Sequence, residues 1–161
     1  MLKMFRILCF INLVIQLSSC SKGDLVCCGP PGPELFIFGK YYGECDGPGC
    51  VIIYKMENEK LYEDTLDVVP YLGFLAGRFV VLPDSDYLIA KELIQKVPTF
   101  LFSENKHIYG CPDGGDWGGM YLEIKYGSDH RSWLIDLMNE NLSEDLISFK
   151  DEVVKVMGAI R

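Results

Sequence analysis

Hydrophobic and polar positions alternate along the chain in blocks that change period several times. LFIFGKYYG from Leu35 and CVIIYKM from Cys50 are rich in β-branched and aromatic residues and predict two strands, separated by the turn-forming ECDGPG. After the polar turn ENEK, the short KLYED predicts a third strand. DVVPYLGFLAGRFVVLP is apolar without a period, because Pro70, Gly73 and Gly77 break any helix; only RFVVL, Arg78 to Leu82, reads as a strand. The period then lengthens. Ala90, Leu93, Ile94 and Val97 share one face of a predicted helix capped by Asp84 or Ser85 and ended by Pro98.

Strict alternation returns in MYLEIKY and RSWLIDL, joined by GSDH: Met120, Leu122, Ile124 and Tyr126 fall on one face, and Trp133, Ile135 and Leu137 follow the same alternation. One side of this hairpin is expected to be core. NLSE, Asn141 to Glu144, fits a capping box with Asn as the cap. An amphipathic helix carrying Leu142, Leu146, Phe149, Val153, Val156 and Ile160 should follow and lie over the sheet. The order predicts an α+β domain: an antiparallel sheet of about five or six strands with two helices packed on one face. A hairpin followed by a helix occurs in each half, so a ββα duplication is conceivable.

The first nineteen residues follow a different logic. Lys3 and Arg6 precede an apolar run from Ile7 to Leu17, the layout of a secretory leader, and that run is shorter than the roughly 20 residues a membrane span needs. Leu17, Ser18, Ser19 and Cys20 then resemble the bacterial lipoprotein lipobox. The resemblance implies cleavage before Cys20 and a thioether-linked diacylglycerol on its thiol, which with further acylation anchors a protein stably. It divides the chain into a leader (1–19), a lipidated cysteine with a Gly/Pro spacer (20–34) and one domain (35–161). Ser21, where an aspartate would retain the protein at the inner membrane, implies the outer membrane, facing the periplasm.

Without its leader the chain holds 13 basic and 23 acidic residues, a formal charge of −10. That balance argues against nucleic acid and against adhesion to an anionic lipid surface, both of which reward Lys and Arg clusters. No motif requires a cofactor.

An exported chain retains disulfides. Cys45 and Cys50 bracket DGPG and are favoured partners; Cys111 pairs with Cys27 or Cys28 in the simplest scheme, which leaves one thiol over. A metal site built from Cys45, Cys50, Cys111 and His107 is the rival, weakened by the lack of two closely spaced ligand pairs.

The densest chemistry lies in CPDGGDWGGM, Cys111 to Met120. Pro112, Asp113 and Gly114 match a tight turn, and Gly118 and Gly119 match a bulge or close backbone approach. Asp113 and Asp116 are candidate cation ligands, too few to hold calcium alone. Trp117 either folds onto the sheet edge, as the average burial of tryptophan favours, or stands exposed to stack on a sugar or anchor a protein, with Tyr41 or Tyr42 as a neighbour. Ser128, Asp129 and His130 name triad chemistry, but consecutive residues of a turn do not converge on one substrate atom. Asp116, Glu123 and His130 are the residues an envelope hydrolase would use, although a carboxylate on the outer face of a strand is ordinarily solvated.

YYGECDGPGC, KLYED, GCPDGGDWGGMYLEIKY and RSWLID together resemble small lipoproteins of Bacteroidetes type. That resemblance implies a shared fold and supplies no mechanism. The expected function is a lipid-anchored interaction module whose partner is an envelope protein or glycan, with hydrolysis or peptidoglycan binding through Trp117 as alternatives.

Overall fold

The computed structural model describes residues 32–160. The leader, the lipobox with Cys20, and Cys27 and Cys28 lie outside the described residues. Seven strands form one sheet: β1 (Leu35–Tyr41), β2 (Val51–Glu57), β3 (Lys60–Asp64), β4 (Phe79–Val81), β5 (Ile108–Tyr109), β6 (Gly119–Tyr126) and β7 (Asp129–Asp136). Their order across the sheet is β4-β3-β2-β1-β6-β7-β5. Three α-helices accompany them: α1 (Asp84–Ala90), α2 (Phe100–Ser103) and α3 (Glu144–Ala159).

The expected α+β class stands, with corrections to its parts. The sheet is mixed rather than antiparallel, because the two-residue β5 runs parallel to β7, pairing Ile108 with Leu134 and Tyr109 with Ile135. It has seven strands, not five or six, and three helices, not two. Both additions are too short to set up a period of their own. The first predicted helix stops after Ala90 and tightens into a 3-10 stretch over Lys91–Lys96. Pro98 forces Val97 into extended backbone, which ends the helical run. At α3 the cap is Ser143, with Glu144 and Asp145 in the first turn; Asn141, expected as the cap, instead takes a left-handed φ of 69° in the preceding loop. The turn needs that conformation, and asparagine tolerates it better than most residues.

The two hairpins meet through their first strands, β1 against β6, with Leu35 opposite Lys125 and Tyr41 opposite Gly119. The two halves differ in make-up: β3 and β4 stand between the first hairpin and α1, whereas α3 follows β7 directly. Pleating sends Phe36, Phe38, Met120, Leu122, Ile124, Trp133 and Ile135 to one face, where they pack with Leu93, Leu101, Leu146, Phe149 and Val153 from the helical segments. Lys150 is buried there with its charge satisfied, donating to Leu137 O at 2.8 Å and to Asn139 Oδ1. A buried ammonium is tolerable only with such partners.

The opposite face carries a second core of Ile37, Tyr41, Val51, Ile53 and Tyr121, with Val69, Leu75 and Phe79 packed against it. The aperiodic segment 65–78 supplies Val69 and Leu75 to this cover as a strap across the sheet, and β4 supplies Phe79. Central strand β6 is therefore buried on both sides from Gly119 to Ile124. Gly39 belongs to this central layer, where an added Cβ would strike the Ile52 carbonyl and Ile53 Cα.

Candidate functional site

Two sites emerge, at opposite ends of the sheet. At the end where β1 finishes and β6 begins, the Cys111–Met120 loop is built from local backbone demands. Asp113, Gly115, Asp116 and Gly118 all have positive φ. Asp113 N donates to Gly118 O at 2.9 Å, and the Gly43 amide donates to Asp113 Oδ2 at 2.9 Å, tying this loop to the one after β1. Buried Asp136 holds the loop's start, accepting from Cys111 N at 2.8 Å and from Met138 N at 2.9 Å. Gly118 has to be glycine, since a side chain there would meet the Tyr42 ring and the Tyr41 carbonyl.

Trp117 stands out from this fixed loop at 62% exposure. The expectation from average burial, that it folds onto the sheet edge, is overturned: Gly118 and Gly119 lie flush against Tyr42 and Tyr41 and leave the indole no recess to enter. Tyr41 is itself buried, its hydroxyl pushed up to about 12 by burial and by the charges of Asp113 and Asp136. Tyr42 is the aromatic neighbour that remains accessible. Asp116 is exposed beside Trp117, whereas one oxygen of Asp113 is engaged by the loop.

The Cys45–Cys50 disulfide sits at the same end, with Cα atoms 5.5 Å apart. The rival metal site is not assembled: those two thiols are joined, Cys111 is exposed, and His107 Nδ1 donates to Ser132 O at 2.9 Å. Among the described residues no group of three or more His, Cys, Asp or Glu gathers as a metal site. The suggested pairing of Cys111 with Cys27 or Cys28 involves residues outside those described.

The second site lies under the strap. Glu123, expected on a solvated strand face, is 1% exposed. Its Oε2 accepts from the Leu75 amide at 2.9 Å and from the Tyr121 hydroxyl at 2.5 Å. Its Oε1 lies 2.7 Å from His130 Nε2, which must be the donor because the carboxylate can only accept. The Tyr121 hydroxyl also reaches Gly73 O at 2.6 Å, and Gly73 N donates to Ser132 Oγ at 3.2 Å. Burial and the Glu123 carboxylate push the Tyr121 hydroxyl well above the ordinary phenol range. Phe74 closes the group by stacking on the His130 ring, centroids 3.6 Å apart.

Two clefts adjoin this cluster. One, of about 220 Å³, is lined by Leu72, Gly73, Phe74, His107, His130, Arg131 and Ser132. The other, of about 380 Å³, shares His107, His130 and Arg131 and extends to Glu104 and Asn105. Both histidines of the chain thus line one composite depression.

Of the residues an envelope hydrolase would use, Glu123 and His130 come together, and Asp116 does not join them: it lies on the loop before β6, whereas Glu123 pairs across to Ser132 further along the strand. Ser128, Asp129 and His130 do not form a triad, since Asp129 pairs with Arg131 at 2.8 Å. Tyr121, Ser132 and Phe74 escape sequence reasoning, and His107, expected only as a metal ligand, lines the cleft beside His130. The available signal was an apolar segment, 65–78, with no element to belong to. No protein-family model matches the chain, and no curated protein matches its sequence.

Proposed function

We propose that the chain is a lipid-anchored module of the bacterial envelope that binds a protein or glycan partner through Trp117. The observation carrying this reading is a large indole left exposed on a loop whose backbone is otherwise fixed by hydrogen bonds and glycine contacts. A rigid exposed tryptophan offers stacking area at little entropic cost on binding. Asp116 and Tyr42 beside it add a carboxylate that accepts hydrogen bonds from hydroxyl groups and a second ring. The lipobox resemblance at Leu17–Cys20 supports anchoring and an outer-membrane location facing the periplasm. Among the described residues no helix is long and apolar enough to cross a membrane.

Co-purification from detergent-solubilised membranes, and glycan-array binding, test the reading with wild type against Trp117→Ala. Loss of the captured partner or glycan in the variant, with an unchanged unfolding midpoint, supports it. Equal retention by both proteins refutes the role of Trp117.

A second reading has its own observation: the Glu123–His130 pair opens onto a cleft. A buried carboxylate that orients an imidazole makes it a general base for water. Of the two serines that line the clefts beside the pair, Ser132 Oγ accepts from Gly73 N and Ser103 Oγ donates to Phe100 O, so neither is turned to His130 as a nucleophile. Hydrolysis of ester or glycoside probes that disappears in His130→Gln would favour this reading over binding alone.

A further inference from the structure

Resting on the anchoring proposed above, we infer that the crest of the strap, Val68, Tyr71, Leu72 and Phe74, seats in the uncharged interfacial layer of the bilayer that carries the anchor. The domain would then be held by two contacts, its acyl chains and its strap.

The chain carries a formal net charge of −8, yet the ten residues from Val68 to Gly77 contain no charged side chain. Within that stretch Tyr71 is 80% exposed, Phe74 59%, Val68 55% and Leu72 48%. An apolar crest of this size on an otherwise charged surface marks an interaction site. The acidity of the whole chain selects a zwitterionic surface over an anionic one.

Leu35 opens β1 and pairs with Lys125, which pairs in turn with His130, the residue under Phe74. Gly73 and Leu75 are fastened two rungs further in, to Ser132 and Glu123. The strap's tip therefore overlies the end of the sheet at which the chain enters from its N-terminal segment. Trp117 belongs to the other end, next to Gly119 opposite Tyr41. The strap would face the membrane while the indole faces away from it.

Fourteen residues, 21–34, separate Cys20 from Leu35, a span of no more than roughly 50 Å when extended. A tether of that length makes strap docking intramolecular, at an effective concentration in the millimolar range, so a weak apolar contact suffices. Glu123, Ser132 and Tyr121 hold the strap's underside, so the crest is already shaped before it meets lipid.

Brominated-lipid quenching tests this on the acylated chain reconstituted into phosphatidylcholine vesicles. Leu72→Trp in a Trp117→Phe background places the reporter on the strap; the wild-type chain places it at Trp117, and buried Trp133 is common to both. Tyr71→Trp in the same background provides a second strap reporter should Leu72→Trp fail to fold.

The expected result is that the strap indole loses about half its emission in vesicles of acyl-brominated lipid, as seating at the acyl boundary requires. Trp117 should lose little. A strap indole left unquenched on vesicles that carry the chain overturns the inference, as does a blue-shifted but unquenched strap indole, which would mean that protein, a second copy included, covers the crest. An acylated chain that does not float with vesicles at all defeats the anchoring proposal itself, a separate outcome.

Discussion

Glu123 provides the sharpest test of the strap's attachment. Replacing it with alanine removes the acceptor for the Leu75 amide and the partner of His130 Nε2, while the Tyr121 hydroxyl keeps Gly73 O. A buried amide left unpaired costs about 1–3 kcal/mol, and the lost charge-assisted bonds and the void add to it. The expected total is about 2–4 kcal/mol, a large part of the ~5–15 kcal/mol that stabilises a typical domain. With a urea m-value of roughly 2 kcal/mol/M, the unfolding midpoint should fall by about 1–2 M.

Amide exchange localises the effect. Gly73 and Leu75 should lose protection in Glu123→Ala far more than Phe38 or Leu122, which lie in the helix-covered core. Glu123→Gln retains an acceptor for Leu75 and can donate to the imidazole, so it should cost only about 1 kcal/mol. The reasoning is refuted if Glu123→Ala unfolds within about 0.5 kcal/mol of wild type, or if exchange at Leu75 is unchanged.

Alkaline pH should loosen the fold through its buried tyrosines. Tyr41 and Tyr109 are each raised from 10.0 to about 12, so the folded state holds protons that the unfolded chain releases. Their contribution is complete below pH 10 and is lost as pH rises through about 12, which near-ultraviolet phenolate titration alongside urea unfolding can follow. Gly39→Ala should destabilise by about 3 kcal/mol or prevent folding, because the clash is with the backbone of β2; soluble yield and thermal unfolding read it. Reducing the Cys45–Cys50 bridge, which closes a short loop, should cost about 2 kcal/mol and lower the thermal midpoint, an effect that Cys45→Ser should reproduce. Trp117→Phe should remove the red-shifted, acrylamide-quenchable part of the fluorescence and leave the shielded emission of Trp133.

The strands are legible in the sequence wherever one face is apolar and the other polar, as in the Met120–Tyr126 and Arg131–Leu137 runs. The last helix is legible for the same reason, since its stripe from Leu146 to Val156 meets a single core. Glu123 is not, because alternation assigns a carboxylate between Leu122 and Ile124 to solvent, and only the strap's return over β6 reverses that assignment. The strap has no period to betray it: its positions follow from tertiary hydrogen bonds at Gly73 and Leu75. The short β5 and α2 are likewise set by their neighbours rather than by their own residues. At the Trp117 loop the glycines announce a corner, yet the exposure of the indole depends on Tyr41 and Tyr42 filling the space beneath them.

Location governs both the binding and the membrane-docking proposals, and mass spectrometry of the chain purified from its native membranes addresses it most directly. The account predicts an N-terminal peptide that begins at Cys20 and carries diacylglycerol on its sulfur. A chain that begins elsewhere, or an unmodified Cys20, would contradict it.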